Sequence, residues 1–157
     1  MPGDTYRQSY LIYEDTSRYD LWLKLLLPGI LALTLVWGIA LLAIGSTEAY
    51  GPLSATAFDA LLFYSILPRR LQVYDDRVRI VLGRPFAVNI PFATIREVRP
   101  ASASKAFAYQ GLRFATSSKS VVAIVRSKGW NVVISPANRE MFLTYLDQAL
   151  KARPQAP

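Results

Sequence analysis

Five arginines crowd into sixteen positions of this 157-residue chain: Arg69, Arg70, Arg77, Arg79 and Arg84. Each guanidinium carries a permanent charge and a planar fork of donors that matches phosphate and carboxylate oxygens. Near a bilayer each contributes about 1 kcal/mol of attraction to anionic headgroups. The competing account is that they mark membrane topology and solvate exposed strand faces. Asp59 is the other residue of chemical interest, a lone charge within the apolar stretch 49–67. An isolated carboxylate at membrane depth is expensive, so it should be neutralised or hydrogen-bonded into a helix interface. Thr34, expected at similar depth on a neighbouring segment, is the candidate partner, and Thr56 the second. The alternative is a shallow seat in which Asp59 reaches water.

What is missing narrows the chemistry further. The chain contains no cysteine and no histidine, which removes thiolate nucleophiles, His general bases, and zinc sites built on either residue. Its eleven acids show no D-x-D-x-D spacing for a hard cation. Phosphate-cradling P-loop and nucleophile-elbow patterns are absent as well. The sequence therefore offers no catalytic residue, no metal ligand set and no cofactor site, and the expectation is a protein that is not an enzyme.

The elements that must position the arginines fall into two unlike halves. Residues 1–67 carry three basic residues against six acids, whereas 68–157 carry fifteen against five, so the net charge of +7 belongs to the second half. Residues 25–44 form an uncharged run of twenty, about 30 Å as a helix, which is the thickness of a bilayer core. Pro28 is expected in its first turn, with Tyr19 and Trp22 as interfacial anchors. Residues 49–67 form a second, less apolar candidate, and the short spacing requires a tight antiparallel hairpin. The loop between them has no Lys or Arg, while Arg18 and Lys24 precede the first segment and Arg69 and Arg70 follow the second. The positive-inside rule then places both termini in the cytoplasm of a two-pass protein of the inner cell membrane, with residues 1–24 as a cytoplasmic N-terminal segment.

From Leu71 the pattern becomes period two. Leu71 and Val73, then Val78, Ile80 and Leu82, then Phe86, Val88 and Ile90 alternate with polar residues, which predicts half-buried antiparallel strands turning at Asp75-Asp76 and Gly83-Arg84-Pro85. Further strands are expected near 95–98 and 111–115. Residues 121–126 and 130–135 flank Ser127-Lys128-Gly129 as a hairpin. Trp130 is expected to pack in or at the rim of the core. The irregular stretch 102–120, with Lys105, Tyr109 and Lys119, is long enough to be either functional or mobile. Ser135-Pro136 reads as the cap and first position of a helix whose Met141, Phe142, Tyr145, Leu146, Ala149 and Leu150 share one face. Residues 152–157 read as a frayed tail.

The run LQVYDDRVRIVLGRPFAVNIPFATIREVRP, the hairpin VVAIVRSKGWNVVIS and the helix PANREMFLTYLDQAL together resemble bacterial pleckstrin-homology-like (PH-like) domains over roughly residues 69–151. In that family a short transmembrane hairpin often precedes the domain. The resemblance implies an α+β domain, a barrel of about seven antiparallel strands capped by a C-terminal helix, behind the membrane α-hairpin of 25–67. Phosphoinositide-binding relatives in the wider superfamily use a long basic first hairpin loop, and here that loop is the short acidic Asp75-Asp76. The expected function is a membrane-anchored, non-enzymatic binding or assembly module, its partners being the bilayer and either another protein or a second copy. The rival is a peripheral domain that senses anionic lipid. Pinning to a bilayer and the lack of a recognition motif argue against nucleic acid.

Overall fold

A computed structural model describes residues 9–102 and 111–152; Lys105, Tyr109 and the tail beyond 152 lie outside them. The first element is a strand, β1 (Leu11–Thr16), formed by the aromatic and β-branched run that precedes the apolar segments. It leads directly into α1 (Leu21–Ala43). A 3-10 turn at Thr47–Ala49, capped where the Ser46 hydroxyl accepts from the Glu48 amide at 3.2 Å, reverses the chain into α2 (Tyr50–Ile66). The next residues are β2 (Arg70–Tyr74), which pairs antiparallel with β1 in the register Thr16↔Arg70 to Tyr13↔Val73. Both helices are thus the connection of a single β-hairpin, and residues 11–16 belong to the domain rather than to a separate N-terminal segment.

The helices pack antiparallel. Gly38 of α1 is buried against Leu53 of α2, so close that a Cβ there would lie 2.8 Å from the leucine side chain. Four residues earlier in α1, the Thr34 hydroxyl accepts from Thr56 at 2.8 Å and donates to the Ile30 carbonyl at 3.0 Å. Among the described residues, α1 is the one helix long and apolar enough to cross a membrane. Its apolar side chains, Leu25, Leu33, Val36 and Trp37 among them, are exposed all around. The second candidate span forms a helix as expected. However, with 17 residues, about 25 Å, it is shorter than a bilayer core is thick and carries Asp59. Because α1 starts four residues before the expected point, Pro28 lies inside the helix rather than in its first turn, and the Lys24 carbonyl loses its usual donor.

The β domain has two sheets. The first is the meander β1–β2–β3–β4, with β3 at Arg77–Val81 and β4 at Ala87–Pro91. The second has the order β5–β7–β8–β6, from β5 (Ile95–Ala101), β6 (Gly111–Phe114), β7 (Val121–Arg126) and β8 (Asn131–Ile134). Among the described residues, 69–151 hold the expected seven strands, β2 to β8, and β1 adds an eighth to the first sheet from outside that range. One expectation needs correction. The second sheet is mixed, because β6 lies parallel to β8. Leu71, Val73, Val78, Ile80 and Ile90 of the first sheet meet Val122, Ile124, Val132 and Ile134 of the second in one core, which α3 (Arg139–Lys151) closes with Phe142 and Leu146.

The cap of α3 is Asn138, whose side chain accepts from the Met141 amide at 3.1 Å. Ser135 is not free to cap, because its hydroxyl bonds the backbone of Ser117 on both sides. Met141 therefore faces out, whereas Tyr145 stacks on Tyr13 of β1 with ring centroids 4.6 Å apart. Trp130 is also a correction: it precedes β8 at the tip of the β7–β8 turn and is 69% exposed. There Gly129 takes φ +89°, a conformation that only glycine adopts without strain.

If β1 completes the first sheet, residues 9–17 joined to 69–152 by an Asn-Gly turn should give a soluble domain that melts cooperatively. Residues 69–152 alone expose the paired edge of β2 and should melt lower or aggregate. Equal thermal midpoints for the two fragments would show that β1 is dispensable.

Candidate functional site

The chain passes between domain and helices twice, and the two passages are bonded to each other and to the sheets. The Ser17 amide donates to the Arg69 carbonyl at 3.1 Å. Beyond it the Tyr19 hydroxyl donates to the Pro68 carbonyl at 2.5 Å. Burial pushes the Tyr19 phenol up, partly opposed by the nearby Arg69 charge, so it keeps the proton it donates. Asp20 stands at the N-cap of α1 but does not cap it. Its carboxylate turns to the loop before β7, accepting from the Ser117 hydroxyl at 2.6 Å and from the Ser118 amide and hydroxyl, each at 2.8 Å. These donors, the Ser117 hydroxyl foremost, lower its pKa to about 2. The Asp20 amide also donates to the Thr116 carbonyl at 2.9 Å.

At the second passage, the end of α2 meets the loop between β3 and β4. Gly83 is pressed so tightly on the Tyr64 backbone that a Cβ there would sit 1.9 Å from the Tyr64 carbonyl oxygen. The outer face of β2 and β3, the last turn of α2 and this loop together enclose a cleft of about 540 Å³. Arg69, Arg70, Arg79 and Arg84 line it, with Tyr64 and Tyr74. Each arginine is there for a local reason. Arg69 and Arg70 follow α2 directly, and Arg69 lies over the Tyr64 ring at 4.2 Å. Arg79 points outward because Val78 and Ile80 on either side fill the core. Arg84 is exposed on the loop that Gly83 fastens to α2.

The charge in the cleft is only partly compensated. Glu14 of β1 binds Arg70 at 3.0 Å and Gln72 at 2.6 Å. No ion pair reaches Arg69, Arg79 or Arg84 among the described residues, and the Nε of Arg79 is buried without a hydrogen-bond partner.

The structure thus brings together four of the five arginines picked out in the sequence. Arg77 is not among those lining the cleft; it is taken by Asp76 at 3.3 Å, by the Ser9 hydroxyl at 2.9 Å and by the face of Tyr74. Asp59 and Thr34 do not meet either. The register that opposes Gly38 to Leu53 gives Thr34 to Thr56, and Asp59 lies three residues further along α2, half-exposed and without a hydrogen bond among the described residues. Glu14, Tyr64 and the Asp20 clamp were not singled out from sequence. Asp20 had a usable signal, an acid immediately before an apolar helical run, although its partners lie 97 residues away.

Asp20→Ala should lower the stability of the full-length protein by about 1–2 kcal/mol, the range for losing a terminal carboxylate of this kind. With a folded pKa of about 2, below the ordinary carboxylate value of 3.8, the clamp is fully formed above about pH 4 and is lost as pH falls through 2. The loss on mutation should therefore be the same at pH 5 and pH 7, measured by thermal melting in mild detergent. A loss that shrinks between pH 7 and pH 5 would show that Asp20 is not held as an anion.

No protein-family model, no curated protein and no solved structure matches the chain.

Proposed function

We propose that this chain is a two-pass membrane protein that holds a PH-like, non-enzymatic binding domain fixed against the cytoplasmic face of the bilayer. One observation carries this reading: the helical pair leaves and re-enters the domain through the adjacent strands β1 and β2. A domain so attached has its orientation to the bilayer set by sheet geometry rather than by a tether. Several features support the membrane part. Exposed apolar side chains surround both helices. Trp22 and Tyr64 sit at the domain ends of α1 and α2, where aromatic residues mark the headgroup layer. The turn between the helices has no Lys or Arg, and the domain side has several. A 17-residue α2 can span with local thinning of the bilayer, at fractions of a kcal/mol per Å of mismatch.

A four-stranded meander, a second sheet and a closing C-terminal helix support the PH-like assignment. The parallel β6–β8 pair and the contribution of β1 are features of this chain beyond that pattern. The two-residue turn Asp75-Asp76 builds no phosphate cradle at the β2–β3 hairpin. An assembly role is favoured by Asp59, half-exposed on α2 with no partner among the described residues, since a carboxylate at that depth seeks a bond from a second protein or copy. Sensing of anionic lipid, the second reading, is favoured by the arginine cleft.

Single cysteines test the topology cleanly because the chain has none of its own. Thr47→Cys should react with an impermeant maleimide on intact cells. Lys128→Cys, at the exposed β7–β8 turn, should react only after permeabilisation. The reverse pattern contradicts the orientation, and protection of both contradicts the two-pass reading.

A further inference from the structure

We propose that the arginine cleft is a binding site for the phosphate of an anionic membrane lipid, with a terminal phosphomonoester as the preferred headgroup. The inference rests on the membrane reading above and adds the ligand class. Arg69, Arg79 and Arg84 form no ion pair among the described residues, and Glu14 on the neighbouring strand is engaged by Arg70 and Gln72. The Nε of Arg79 is buried without an acceptor, and so is that of Arg77, so net charge rather than an unmade bond singles out the cleft. Three uncompensated cations suit a dianion better than the single charge of a diester, and a phosphomonoester carries between one and two negative charges at pH 7. Tyr64 and Tyr74 add hydroxyls and aromatic edges on the same walls.

The position of the cleft selects a lipid over a soluble phosphate. One wall is Tyr64, in the last turn of α2, and beside it runs the Leu82–Arg84 loop, held against that turn by the contact at Gly83. If α2 lies in the bilayer, its last turn lies at the headgroup layer, so the cleft is level with lipid phosphates. Arg77, on the same strand face as Arg79, serves as an internal control because Asp76 and Ser9 already hold it.

Native mass spectrometry of the full-length protein in mild detergent reads lipid adducts directly. Titration with phosphatidic acid, phosphatidylglycerol and phosphatidylcholine should show phosphatidic acid binding at least about tenfold more tightly than phosphatidylcholine, with phosphatidylglycerol between them. Arg79→Gln with Arg84→Gln should remove that preference, and Arg77→Gln should leave it intact. Arg84→Gln alone, at an exposed loop residue, should weaken phosphatidic acid severalfold and guards against a misfolded double variant. Equal binding of phosphatidic acid and phosphatidylcholine, or an unchanged preference in both cleft variants, overturns the site. Phosphatidylglycerol binding as tightly as phosphatidic acid overturns the monoester preference. Glycerol 3-phosphate binding as tightly as phosphatidic acid, and lost in the same variants, overturns the lipid source while keeping a phosphate site. That last result would count against the membrane reading, which the cysteine labelling checks independently.

Discussion

The pairing of β1 with β2 is the constraint from which the rest of the molecule follows. Two strands that lie side by side, Thr16 opposite Arg70, oblige the chain between them to leave and return at neighbouring points. The helices therefore run antiparallel, and they touch at Gly38–Leu53 and Thr34–Thr56. Gly38 permits that approach at Leu53, and the Thr34–Thr56 pair joins across the helices two hydroxyls that each also reach a carbonyl of their own helix. On the domain side the same pairing brings Tyr19 to Pro68 and Asp20 to the loop before β7. Attachment by two strands and a carboxylate clamp removes the rotational freedom that a single linker would leave.

That fixed attachment gives the arginines their setting. Alternation along β3 turns Arg79 outward, the end of α2 delivers Arg69 and Arg70, and the close contact at Gly83 carries Arg84 to the same place. None of these is adjacent to all the others in sequence. They converge because a helix end, a sheet face and a loop share one junction, and the junction exists because the helices are inserted in a hairpin.

Much of this was legible in the sequence, and what was not has identifiable causes. Period-two runs located β2, β3 and β4, and the Ser127-Lys128-Gly129 turn located the β7–β8 hairpin, since each pairs with a partner only a few residues away. The register of β1 depends on residues beyond both helices, so in sequence residues 1–24 read as one N-terminal segment with no strand. The parallel β6–β8 pair was hidden because β6 pairs past β7, its neighbour in the chain, with β8. The helix cap fell at Asn138 rather than Ser135 because a non-local neighbour, Ser117, claims the Ser135 hydroxyl. Four of the five arginines belonged together as the spacing suggested. The fifth, Arg77, differs from Arg79 in having Asp76 beside it, the Tyr74 ring beneath it and Ser9 brought across from before β1. Depth matching set Asp59 beside Thr34, but helix packing is decided by the closest-approach residue, Gly38, and that shifts the register by three positions.

The most direct test of the account is whether helices and domain move as one body. Spin labels at Ser54→Cys on α2 and Asn89→Cys on the exposed face of β4, in the full-length protein in lipid nanodiscs, report that geometry by electron–electron dipolar spectroscopy. A hairpin attachment with the Asp20 clamp intact predicts one narrow distance distribution. A broad or multimodal distribution would mean that the domain swings on its helices, and the β1–β2 pairing would not be the constraint described.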